Sequence, residues 1–93
     1  MRTETGFLLT YHTDPGHGWL GVPLELLRDL GIQNDISSFS YIGDKVAYLE
    51  EDKDANVFLT AFRQKFPDLT LKTPEVHTDA QHWIRRLQPY HVR

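Results

Sequence analysis

The stretch Phe39-Ser40-Tyr41-Ile42-Gly43-Asp44-Lys45-Val46-Ala47-Tyr48-Leu49 decides the fold. Two runs rich in aromatic and β-branched residues flank Gly43-Asp44, and glycine in first place is what a two-residue type II′ turn requires. The pattern predicts a hairpin in which Tyr41 faces Val46 and Phe39 faces Tyr48, pairs of the kind that stabilise a sheet.

Working outward, Asp54 is placed to cap a helix running to about Phe66, with Val57, Phe58, Ala61, Phe62 and Phe66 on one face. Pro67 ends it, and the alternation of Leu69 and Leu71 with polar neighbours predicts a final strand over 69–73. Thr78 or Asp79 can cap a last short helix carrying Trp83, Ile84 and Leu87, which Pro89 stops. On the N-terminal side, residues 7–12 read as a strand, Asp14-Pro15-Gly16-His17-Gly18 as a turn, and 19–22 as the return strand of a second hairpin. Pro23 suits the start of a helix bearing Leu26, Leu27 and Leu30, with Gly31 as a left-handed cap. The expected fold is therefore α+β. A mainly antiparallel sheet of about five strands, two hairpins plus a final strand, carries two to three helices on one face.

Ninety-three residues make one domain, since two cores would leave each half too small to stand alone. The expectation is a single unit over 1–93 with 89–93 as a loose C-terminal tail. Hydrophobic residues at 40% and charged residues at 25% exclude a disordered composition. The absence of cysteine excludes disulfides, thiol nucleophiles and cysteine-ligated zinc. Residues 1–6 are polar with no apolar run behind them, which does not fit a signal peptide, and no segment approaches the length of a membrane span. A cytoplasmic protein with no membrane partner is expected. A net charge of −3 argues against nucleic acid, and Arg85, Arg86 and Arg93 beside Tyr90 are too few to reverse that.

Chemistry concentrates in a repeated pattern, His-Thr-Asp-x-x-His, at 12–17 and again at 77–82. Histidine and carboxylate are ligands for zinc-like divalent ions, so His12, Asp14 and His17 form a candidate metal set or the centre of a small hydrolase. If both segments follow strands, they could meet at one end of the sheet. The competing reading gives Asp14 to an Asp-Pro-Gly turn and Asp79 to a helix cap. With Trp19 beside it, the turn His12, Asp14, His17 is the candidate functional element. Residues 52–56 imitate the start of a calcium loop, but Val57 and Arg63 stand where glycine and glutamate are needed. The acidic cluster Glu50, Glu51, Asp52 and Asp54 reads instead as a charged surface, a candidate interaction site at a helix N-terminus. No phosphate-binding glycine loop, nucleophile elbow or dinucleotide fingerprint occurs.

The segments His12-Thr13-Asp14-Pro15-Gly16-His17-Gly18-Trp19-Leu20 and Tyr48-Leu49-Glu50-Glu51-Asp52-Lys53-Asp54-Ala55 resemble a family of small uncharacterised proteins of phages, plasmids and proteobacterial prophages. The likeness covers about residues 7–62, and it carries no activity. It implies a small accessory protein of a mobile element. With no catalytic set recognised, the expectation is a non-enzymatic protein without a cofactor that binds another protein. Histidine-dependent metal binding or hydrolysis is the alternative.

Overall fold

The computed structural model describes residues 6–92 and the backbone of residues 2–3. Met1, Glu4 and Thr5 of the polar N-terminus, and Arg93 of the basic tail, lie outside the described residues. The elements run β1 (Arg2–Thr3), β2 (Gly6–Leu8), β3 (Tyr11–Thr13), β4 (Gly18–Pro23), α1 (Leu24–Asp29), β5 (Tyr41–Ile42) and β6 (Val46–Glu50). They continue with α2 (Asp54–Lys65), β7 (Thr70–Lys72), β8 (Glu75–His77), a 3-10 turn (Trp83–Arg86) and β9 (Gln88–Pro89). The α+β class holds, with the antiparallel pairings in the majority.

A six-stranded sheet has the order β8-β3-β4-β6-β5-β9, and a three-stranded one the order β1-β2-β7. They are joined by a bent ribbon. Residues 6–8 pair parallel with 70–72, and 11–13 with 75–77, in one register. Between these pairs, the Leu9 N–H donates to the Lys72 carbonyl and the Tyr11 N–H to the Pro74 carbonyl, each at 2.9 Å. The expected strand over 7–12 is thus two short strands, and the expected final strand over 69–73 extends to His77 and runs parallel to it. Only glycine fits at position 6, because a Cβ there would lie 1.9 Å from the Thr70 carbonyl oxygen.

The deciding hairpin forms, but one residue later than its turn chemistry predicts. Tyr41 faces Tyr48 and Ile42 faces Ala47, with Gly43 N–H bonded to the Val46 carbonyl, so the loop is Asp44-Lys45. Among the described residues only Gly31 has a positive φ, 71°, so the type II′ turn is replaced by one of negative φ. The register is fixed from the far end, where the Ser40 hydroxyl accepts from the Glu50 N–H and donates to Asp54. Phe39 leaves the strand altogether and is 72% exposed.

Even positions of β4 (Leu20, Val22) and odd positions of β6 (Ala47, Leu49) face α1 and α2, and they pack against Leu27, Phe58 and Phe62. Full burial of each phenylalanine contributes about 2–3 kcal/mol. The opposite face carries His12, Trp19, Gly21, Tyr41 and Tyr48 in adjacent register positions. Across it runs the segment after β8, so this last helical element lies away from α1 and α2. It is a 3-10 turn, not an α-helix, and its cap is His82, whose ring Nδ1 accepts from the Ile84 N–H. Thr78 and Asp79 do not cap it; the Asp79 side chain is fully exposed. Nor is the segment from 89 to 92 loose throughout. Gln88 and Pro89 pair with β5, the Tyr90 N–H bonds to the Ser40 carbonyl, and the buried Tyr90 donates its hydroxyl to the Gln33 carbonyl at 2.7 Å.

Candidate functional site

Asp14 sits where the β3–β4 turn meets the chain crossing the outer face. Its Oδ1 accepts from the backbone N–H of Gly16 and His17, both at 3.0 Å, as an aspartate opening a turn should. The same carboxylate accepts Arg85 through Nε at 2.7 Å and Nη2 at 2.9 Å, and the His82 N–H at 3.0 Å. Five donors therefore converge on two oxygens in a side chain that is 1% exposed. The Arg85 guanidinium, then the three backbone donors, hold the Asp14 carboxyl well below the usual carboxylate range against the opposing effect of burial. The Arg85 guanidinium lies 5.2 Å from the Trp19 ring, and Trp19 is 2% exposed beneath it.

A chain of rings spreads from this brace. His12 stands 5.2 Å from His82 and 5.7 Å from Tyr48, and Trp83 packs edge-on against Tyr48 at 5.3 Å. Gly21 leaves the space over which the His12 and Tyr48 rings lie, each 3.6 Å from where its Cβ would be. Burial is the main cause that lowers the basicity of both His12 and His82. The neighbouring His82 adds to it for His12; for His82, Asp14 raises it and Arg85 lowers it.

These depressed values give a pH prediction. The unfolded chain takes up protons on both histidines near pH 6.5, where the folded chain does not. Their contribution is therefore present above about pH 6.5 and is lost as the pH falls through that value toward the folded pKa. The melting temperature is expected to drop between pH 7.5 and 5.5, and to drop less in the double variant His12→Gln, His82→Gln. An equal slope in both proteins would refute this.

The two His-Thr-Asp repeats do lie side by side, but slipped by one residue. His12 pairs with Val76 and Thr13 with His77, so His12 and His77 point to opposite faces of the sheet. The His77 ring meets the Thr13 hydroxyl at 2.8 Å and Asp79 at 3.3 Å, while His82 comes round to His12. His17 is exposed and packs 6.1 Å from Trp19. Among the described residues no group of three or more histidine, aspartate or glutamate side chains is placed to hold a metal ion. The set His12, Asp14 and His17 is not brought together, and Asp14 spends its oxygens on Arg85 and the backbone.

The acidic cluster also divides. Asp54 is fully buried, not a surface residue, and it is the first residue of α2 rather than its cap. It accepts from the Ser37 N–H, the Ser37 hydroxyl at 2.7 Å and the Ser40 hydroxyl at 2.5 Å. Glu50 instead caps the approach to the helix, accepting from the N–H groups of Asp52 and Lys53 at 3.0 Å each. Glu51 is half-buried and accepts the Tyr11 hydroxyl at 2.5 Å; burial and this carboxylate together push the Tyr11 pKa up. Only Asp52 remains open to solvent.

What these braces leave accessible is a cleft of about 440 Å³ lined by His17, Trp19, Phe39, Tyr41, Glu50, Asp52, Lys53 and Arg85. It combines the two candidate elements, the histidine turn and the acidic cluster, with an exposed phenylalanine. Phe39 and Arg85 escape sequence reading as site residues: Phe39 reads as a strand residue, and the Arg85–Asp14 pair spans 71 positions. No family model, curated protein or solved structure matches the chain.

Proposed function

We propose that the protein is a non-enzymatic protein-binding module, an accessory factor of the mobile-element kind, whose recognition surface is the cleft between Phe39 and His17. The observation that carries this reading is Phe39 itself. It projects 72% exposed from a loop whose other anchors, Ser37 and Ser40, are tied to buried Asp54. A large apolar ring held out on a fixed support loses little entropy on binding and gains much by burial, which is why aromatic residues dominate interface hot spots. Tyr41 and Trp19 line the same cleft, and the Asp14–Arg85 pair holds the guanidinium over Trp19 at its wall. The charges around it, Glu50, Asp52, Lys53 and Arg85, supply a polar rim.

Substitution of Phe39 by alanine is expected to leave stability within about 0.5 kcal/mol, since the ring packs little in the free protein. The same change should weaken partner binding at least tenfold, about 1.4 kcal/mol. Quantitative capture from lysates, wild type beside Phe39→Ala, measures both partner and dependence. A partner retained equally by the two proteins would remove the cleft from the interface. Hydrolytic or metal chemistry at His12, Asp14 and His17 has no comparable support, because the three side chains do not share a site.

A further inference from the structure

The outer edge of the six-stranded sheet is β8, all three of whose residues are exposed. Its even-numbered neighbours turn inward: the Pro74 carbonyl accepts from Tyr11, and the Thr78 N–H donates to Thr13. The alternation of a strand then directs the N–H and C=O groups of Glu75 and His77 away from β3, as an open pairing edge. On the outer face of that edge stands Val76, 54% exposed, beside His12 in the register, and the His12 ring in turn meets Trp83 edge-on at 6.0 Å.

We infer that β8 pairs antiparallel with β8 of a second copy of this chain, about a two-fold axis through Val76. The edge is self-complementary in that arrangement. Residues 75 and 77 are the two with outward backbone groups, so Glu75 of each copy meets His77 of the other as a hydrogen-bonded pair. Val76 meets Val76 as the closer, non-hydrogen-bonded pair, an apolar contact between β-branched side chains. On the other face each Glu75 carboxylate lies opposite a histidine ring, a pairing of acceptor with donor rather than like with like. The strand itself spans only residues 75–77, which limits the pairing to them. The seam is short, so the dimer is weak, with a dissociation constant on the order of 0.1 mM. It lies on a different strand from the cleft, and the two readings stand or fall separately.

Sedimentation equilibrium of the full chain over a concentration series tests this. The wild type is expected to be a reversible dimer, and Val76→Lys to be monomeric at every concentration, with unchanged thermal stability because residue 76 is exposed. His77→Glu, which sets acid against acid, should raise the dimer dissociation constant at least tenfold. The exchange Glu75→His with His77→Glu restores opposite partners about the axis and should recover dimerisation. A wild type monomeric into the millimolar range overturns the inference. So does a dimer that Val76→Lys and His77→Glu leave unchanged.

Discussion

Replacing Asp14 by asparagine is expected to lower the melting temperature by about 10 °C or more, although the two side chains have nearly the same shape. The carboxylate accepts from Gly16, His17, His82 and twice from Arg85. An amide offers one acceptor oxygen and turns an NH₂ group toward donors that already need partners, so at least two of the five contacts become donor against donor. It also leaves the Arg85 guanidinium without its counter-charge at a site where the arginine side chain is only 24% exposed. The loss has a direction in space as well. Asp14 ties the β3–β4 turn to residues 82 and 85, so its removal frees the segment that covers Trp19. In a Trp83→Phe background, Trp19 fluorescence should shift to longer wavelength before global unfolding. A variant that melts with the wild type, or whose fluorescence is unmoved, would show that the brace holds nothing. Acid should act on the same group. Because its folded pKa is depressed, its contribution is present above the unfolded value of 3.8 and is lost as the pH falls below it.

Asp54→Ala is the second large effect, with a destabilisation of about 3 kcal/mol expected in urea denaturation. Three donors lose their acceptor at once: the Ser37 N–H, the Ser37 hydroxyl and the Ser40 hydroxyl. Ser40 is fully buried and cannot turn to water, and its hydroxyl also receives the Glu50 N–H that sets the β5–β6 register. A domain of this size has only about 5–15 kcal/mol in total, so the midpoint should move far while the slope stays near wild type. Ser37→Ala removes one donor, the hydroxyl, together with its need, while the Ser37 N–H keeps its acceptor, so it should cost markedly less. A loss below about 1 kcal/mol for Asp54→Ala would mean that the loop reorganises freely. Asp54 therefore holds the loop that carries Phe39 from underneath, through Ser37 and Ser40.

Local chemistry was legible in the sequence wherever cause and effect lie close together along the chain. Asp14 opens its turn as an Asp-Pro-Gly sequence should, Gly31 takes the left-handed cap, and Phe58 and Phe62 face the core at helical spacing. The hairpin at 39–49 was legible as a hairpin, but not its register. Gly43 announced one turn, and the contact of Ser40 with Asp54, fourteen residues on, decided another. The reading of Asp54 as surface failed for the same reason: a carboxylate at a helix start needs no explanation until Ser37 and Ser40 are seen around it. Strand β7 was legible from the alternation of Leu69 and Leu71, but β8 was not, because it is exposed on both faces. Their parallel partners are too distant for any turn signal to mark. The repeated His-Thr-Asp was visible as a repeat, yet a slip of one position sent its histidines to opposite faces, which composition and spacing cannot reveal.

The parallel ribbon sets a clock for the nascent chain. Residues 6–13 find their partners at a constant separation of 64 positions, as Thr13 and His77 do. At ribosomal speeds of roughly 5–20 residues per second, the early strand waits several seconds, with Phe7 and Leu9 uncovered, before its mate is made. Pairings of such high contact order also form slowly once both halves are present. The helix-side core can assemble from residues 20–62 in the meantime, so the ribbon is expected to close after it and to bring Arg85 to Asp14 late.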